Sequence, residues 1–211
     1  MSRFPSSVRQ LLAGLRGLLI FTVICGIAYP LVIFGISQVA FNKQANGSLV
    51  RFHGRVVGSS LLCQEFITAK GNPLPQYFQP RASASATSAT NLTGGCNPLA
   101  TGASNLGPNN PVLVQDIRAR QKQIAAFDHV PVSAIPPDAV TASASGLDPY
   151  ISPQNAAIQV NRVAAARRIS PATVRALVAR YTYARPLGFL GEPGVNVMQL
   201  NIALDQHHPV P

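Results

Sequence analysis

Between Gly17 and Ala40 the chain carries no charged residue. This stretch, GLLIFTVICGIAYPLVIFGISQVA, is 24 residues long. As a helix it extends roughly 36 Å at about 1.5 Å per residue, enough to cross a hydrocarbon core of about 30 Å. Nothing else in the chain approaches this length of uncharged apolar sequence. A cleaved leader is the rival reading, because Arg3, Arg9 and Arg16 form a basic start and Gly26-Ile27-Ala28 resembles a small-residue cleavage site. The apolar run nevertheless continues through Leu31, Val32, Ile33, Phe34 and Ile36, beyond the point where the apolar region of a leader stops. An uncleaved anchor is the expectation.

Flanking charge orients the anchor. Arg16 abuts the span, whereas the nearest basic residue on the far side is Lys43, which favours a cytoplasmic N-terminus. The expected organisation is a cytoplasmic segment over 1–16, a transmembrane helix over 17–40 and one extracytoplasmic domain over 41–211. Within the span, Tyr29-Pro30 invites a kink, since proline removes a backbone hydrogen bond. Thr22 and Gly26 lie four apart, and Gly26 and Gly35 permit close helix approach. Thr22, Gly26, Tyr29 and Pro30 are therefore candidates for docking against other membrane helices, beside the plainer reading of a simple anchor.

Composition excludes several classes. Hydrophobic residues make up 47% and charged residues 11%, which rules out a disordered chain. With three cysteines it is no disulfide-rich miniprotein. Cys25 lies in the span, while Cys63 and Cys96 can pair if their compartment is oxidising; sequence leaves their separation in space open. The chain carries 17 basic residues, and all but Arg3, Arg9 and Arg16 follow the span, so the outer part holds 14 against 7 acids. This positive field repels cations and suits anionic lipid headgroups or an acidic partner. Nucleic acid is disfavoured, because the basic residues lack an aromatic platform.

The outer domain reads as α+β. Residues 41–81 have the pattern of short strands and turns, and 82–111 form a polar Ser, Thr, Asn and Gly loop. Three helices follow, over about 111–127, 153–168 and 171–182. Each opens on Asn-Pro or Ser-Pro, where the first residue caps free amides and proline needs no amide partner. In VNVMQLNIALD, 195–205, Leu200, Ile202 and Leu204 alternate with Asn201 and Ala203, which predicts a half-buried strand.

No catalytic constellation stands out: there is no G-x-S-x-G, Walker-type loop or H-E-x-x-H, and no metal-ligand spacing. The densest polar signal lies at 141–168. Ser143, Ser145, Asp148 and Ser152 gather around Gly146 and Pro149, the chemistry of a turn that precedes a helix. On that helix Asn155, Gln159 and Arg162 share one face. It is either a solvated polar face or a recognition surface, with Gln159 and Arg162 contacting a partner subunit or a phosphate. Ser143, Ser145, Gly146, Asp148, Gln159 and Arg162 are the candidate partner or nucleotide contacts.

Several strings together carry a resemblance: Tyr29-Pro30-Leu31 in the span, GSSLLCQEF at 58–66, YFQPRASAS at 77–85, GASNLGPNNP at 102–111, TASASGLDPYISPQNAAIQVNRVAAAR at 141–167 and LGEPGVNVMQLNIALD at 190–205. On these the chain resembles the C-subunit (KdpC) family of bacterial Kdp potassium-transporting P-type ATPases, from about Arg9 to Asp205. It departs from the family's usual pattern at Cys63 (glycine), Ala82 (proline) and Gly194 (arginine). The resemblance implies a non-catalytic subunit of a heteromeric potassium import complex. Its partners would be a channel-like K⁺-selecting subunit, a P-type ATPase subunit that uses ATP and Mg, and a small single-span subunit. It also implies a catalytic-chaperone role that raises ATP affinity in the ATPase subunit. A stand-alone anchored binding protein is the alternative.

Overall fold

The computed structural model describes residues 5–85 and 96–210. Residues 86–95 of the polar loop and Arg3 of the basic N-terminus lie outside the described residues. The chain divides into two units, the first ending at Ser48 and the second running from Leu49 to Pro211.

The first unit is dominated by a helix of 35 residues, Ser6–Ala40, long and apolar enough to cross a membrane. It consists of α1 (Ser6–Val23), a π-helical turn (Ile24–Ala28) and α2 (Tyr29–Ala40), and none of its residues is buried. The wide turn has a local cause. Pro30 cannot donate a hydrogen bond, and its ring collides with the carbonyl four residues earlier in a regular helix. Here the Tyr29 amide reaches back to the Ile24 carbonyl, which opens the turn just before the proline. A short helix, α3 (Asn42–Ala45), follows.

The second unit is α+β. It opens with a hairpin of β1 (Leu49–Phe52) and β2 (Arg55–Ser59). Its two-residue turn, His53-Gly54, has positive φ at both positions (47° and 79°), the twist that suits a tight hairpin. The expected helices form: α4 (Pro111–Asp128), then, after a single turn α5 (Pro137–Val140) and β3 (Tyr150–Ile151), α6 (Pro153–Arg167) and α7 (Pro171–Arg180). Asn110, Ser152 and Ser170 cap α4, α6 and α7, each accepting a backbone amide with its side chain.

The C-terminal segment corrects the sequence expectation. Only Gly194–Asn196 is a strand; Val197–His207 is helix, not strand. With β4 (Thr182–Tyr183), the strand Gly194–Asn196 (β5) and the helix Val197–His207 (α8) complete the fold. β5 lies between β3 and β4, antiparallel to both. Asn196 caps α8 by accepting the Gln199 amide. The main core packs Phe78, Ile151, Val160, Val163, Val174, Val195, Leu200 and Leu204 among α6, α7, α8 and β5.

Candidate functional site

The polar residues of α6 point inward. Asn155, Gln159 and Arg162 are 3%, 4% and 7% exposed, so this face is not solvated but buried against the segment at 75–81. That segment belongs to none of the strands, yet its carbonyls from Pro75 to Gln79 are all occupied. Arg162 Nη1 donates to the carbonyls of Pro75 (2.6 Å) and Tyr77 (2.9 Å). Arg167 Nε donates to the Gln76 carbonyl at 2.7 Å. Asn201, from α8, donates to the Phe78 carbonyl and accepts the Phe78 amide, both at 2.9 Å. Gln159 treats Gln79 the same way, accepting its amide at 2.7 Å and donating to its carbonyl at 3.2 Å. Every carbonyl from Pro75 to Gln79 is therefore met by a side chain of α6 or α8, and these side chains replace the ladder a neighbouring strand would supply.

Charge is balanced at the centre of this array. Arg162 Nε meets Asp128 Oδ1 at 2.6 Å with both side chains almost fully buried, and the guanidinium lies 4.3 Å from the Phe127 ring centre. Burial pushes the Asp128 carboxyl above its usual range against the opposing pull of Arg162, and burial likewise lowers Arg162 although Asp128 holds it up. Arg162 Nη2 also donates to Gln159 Oε1 at 2.8 Å. Arg167 continues the system, donating to Asp205 Oδ1 and the His208 carbonyl at 2.8 Å each. Tyr77 donates to Asp205 Oδ2 at 3.1 Å, and its phenol is raised above 10.0, first by burial and then by the charge of Asp205.

The other candidates, at 143–148, form a second cluster with a different task. Ser143 Oγ accepts the Gly146 amide and Ser145 Oγ accepts the Leu147 amide, both at 3.1 Å. Around this turn the two flanks of the polar loop are tied down. The Ser143 amide donates to the Ala82 carbonyl (2.8 Å) and the Gly102 amide to the Ser145 carbonyl (3.0 Å). Ser83 Oγ donates to the Gly146 carbonyl at 2.7 Å. Gly146 has φ +75°, and a Cβ there would sit 2.6 Å from the Gly102 carbonyl oxygen, so only glycine fits. Asp148 accepts Arg81 Nη1 at 3.0 Å and the Tyr150 amide at 2.9 Å. Cys63 and Cys96 are joined by a disulfide, and the Cys63 amide donates to the Leu147 carbonyl at 2.9 Å.

The structure thus brings Gln159 and Arg162 together and gathers Ser143, Ser145, Gly146 and Asp148 separately, with 77–85 touching both groups. Thr22, Gly26, Tyr29 and Pro30 lie around the π-helical turn; a Cβ on Gly26 would meet only Thr22 Cγ2, at 3.9 Å. Sequence reasoning missed Asn201, Arg167 and Asp128. Asn201 carried a usable signal, an amide set in the middle of an apolar run. Among the described residues no group of three or more His, Cys, Asp or Glu is placed to hold a metal ion.

Comparison with known proteins adds a separate line of evidence. A family profile described as "KdpC: K+-transporting ATPase, c chain" matches residues 11–206. A potassium-transporting ATPase KdpC subunit from Sorangium cellulosum is 51% identical over 188 residues, covering 89% of this chain and 93% of the relative. The same subunit from Kineococcus radiotolerans is 46% identical over 202 residues, covering 96% of each. That of Mycobacterium tuberculosis (H37Rv) is 45% identical over 199 residues, with 94% and 98% covered.

Proposed function

This chain belongs to the KdpC family, the c chain of K⁺-transporting ATPases, and from that membership we propose that it is the non-catalytic subunit that stabilises an ATP-driven potassium import complex. The observation that carries this reading is the inward turn of its densest polar chemistry. Gln159, Arg162 and their neighbours are occupied in bracing the 75–79 backbone, so the domain is a rigid body suited to hold other subunits. Its partners are a channel-like K⁺-selecting subunit, the P-type ATPase subunit that binds ATP and Mg, and a small single-span subunit. The helix docks in the bacterial inner membrane through Thr22, Gly26, Tyr29 and Pro30.

The domain lies outside the cytoplasm. The Cys63–Cys96 disulfide supports that placement, because such bonds persist in oxidising compartments and are rare in the cytosol. A domain so placed cannot touch cytoplasmic ATP. A catalytic-chaperone effect on ATP affinity therefore passes through membrane helices, as coupling between conformational states of the complex. The competing assignment makes Ser145, Gly146, Gln159 and Arg162 direct phosphate contacts. A phosphate at Arg162 would have to displace Asp128 and the Pro75 and Tyr77 carbonyls, and the buried Asp128 charge would be left unpaired.

The test is a mild-detergent pull-down from membranes of potassium-starved cells through a C-terminal tag, with K⁺-stimulated ATP hydrolysis measured in the eluate. Co-elution of a large P-type ATPase and a multi-span protein with that activity is the expected result. Elution of the chain alone and inactive, under conditions that preserve other membrane complexes, would turn attention to a stand-alone binding protein.

A further inference from the structure

From Tyr183 to Glu192 every residue is exposed, ten in unbroken succession. The run includes Leu187 at 81%, Phe189 at 71% and Leu190 at 47%. Large apolar side chains this exposed and this close together on one loop mark an interaction surface more often than chance placement does. Leu187 sits at φ 54° and ψ 14°, a left-handed conformation that is costly for a branched side chain. With 81% of Leu187 exposed, packing within the domain offers little to offset that cost.

Beside this loop lies a groove of about 620 Å³ whose lining includes Arg81, Asp138, Asp148, Tyr150, Tyr183 and Glu192. Gly194 of β5 also lines it, and Tyr150 packs directly on that glycine: a Cβ there would come within 3.2 Å of the Tyr150 ring. Tyr150 and Tyr183 meet edge to face, ring centres 5.7 Å apart. The charges are unequal. Asp148 is paired with Arg81 and Glu192 with the exposed Arg185. Asp138 is held only by neutral donors, the Ser152 amide and hydroxyl and the Asn155 amide group, and has no ion pair among the described residues.

We infer that the 183–192 loop and this groove together dock a protein partner that presents an apolar socket beside a lysine or arginine. The apolar tip enters the socket, and the cationic side chain enters the groove beside the two tyrosines, where carboxylates and aromatic faces both attract it. This charge pattern selects protein over lipid. Anionic headgroups would be repelled by a groove that holds three carboxylates, one of them without a cation. The inference rests on the subunit reading above, and names the surface by which the domain meets the complex.

The experiment uses the tagged full chain co-expressed with the other subunits. A benzoylphenylalanine photo-crosslinker replaces Phe189 or, as a control on the exposed α4 surface, Val112. The expected result is an adduct with a subunit of the complex from position 189 and not from 112. Leu187→Ser with Phe189→Ser should cut recovery of the complex roughly tenfold or more, the size of effect seen when central apolar anchors are removed. Glu192→Lys should cut it by a smaller factor, and thermal unfolding of either variant should match the parent because these side chains are exposed. If the parent recovers the complex but position 189 labels only phospholipid or nothing, the docking inference is overturned while the subunit reading stands. If the parent recovers no complex, both fall.

Discussion

In the N-terminal helix no side chain is buried and most are apolar; in the 49–211 unit two arginines, an aspartate and several amides are buried and bonded. The two regions use the same chemistry under opposite constraints. The helix satisfies its backbone within itself, so its side chains answer only to their surroundings, and apolar residues are largely exchangeable there. The 75–79 segment cannot satisfy its own backbone and has no strand beside it. Particular side chains at particular positions must do so, and few exchanges are tolerated.

This contrast can be broken most directly at Arg162. Arg162→Ala leaves Asp128 buried without its counter-charge and strips the Pro75 and Tyr77 carbonyls, and should destabilise the domain by about 3–5 kcal/mol. Urea unfolding of the purified chain in detergent measures it; a loss under about 1 kcal/mol would show that the array is not what holds the segment. Next comes the disulfide. Cys63→Ser with Cys96→Ser opens a link across 33 positions, worth about 3–4 kcal/mol by loop-closure entropy. Reductant should reproduce the loss in the parent and add nothing in the double variant.

A smaller effect sharpens the comparison by pH. The Tyr77 phenol is raised above 10.0 in the folded domain, so folded chains hold that proton more tightly than unfolded ones. Its contribution is full below about pH 10 and is lost as pH rises through the raised value. Tyr77→Phe should cost about 1 kcal/mol at neutral pH, and the gap between the two proteins should close in alkali; a gap that stays constant would contradict this. Smallest of all is the domain's response to the helix. Replacing Tyr29-Pro30 with Leu-Leu should move domain stability by no more than about 0.5 kcal/mol while lowering recovery of the complex. Unchanged recovery and activity would remove the docking role of that turn.

Legibility follows the same division. The long apolar helix could be recognised from composition alone, and three helix starts from Asn110-Pro111, Ser152-Pro153 and Ser170-Pro171, because capping is local chemistry. The last element was misread for a tertiary reason. Asn201 is buried to bond Phe78, and an interior amide made α8 look like alternating in and out. Val197, Leu200 and Leu204 recur at helical spacing among the buried residues of α8, and Asn196 was a cap in plain sight. Gln159 and Arg162 stood out as polar residues on one face, but their direction depends on 75–79, 80 or more positions away in sequence for each bond. The partner Asp128 gave no signal, since an acid ending a helix is ordinarily solvated.

The π-helical turn at Ile24–Ala28 has one more consequence. A single extra residue in a helix turns everything beyond it by about 100°. The stripe that α1 presents and the stripe that α2 presents are out of phase, so a straight neighbour lying along the whole rod meets a different azimuth in each half. One helix can thereby offer two separate flanks to two neighbours.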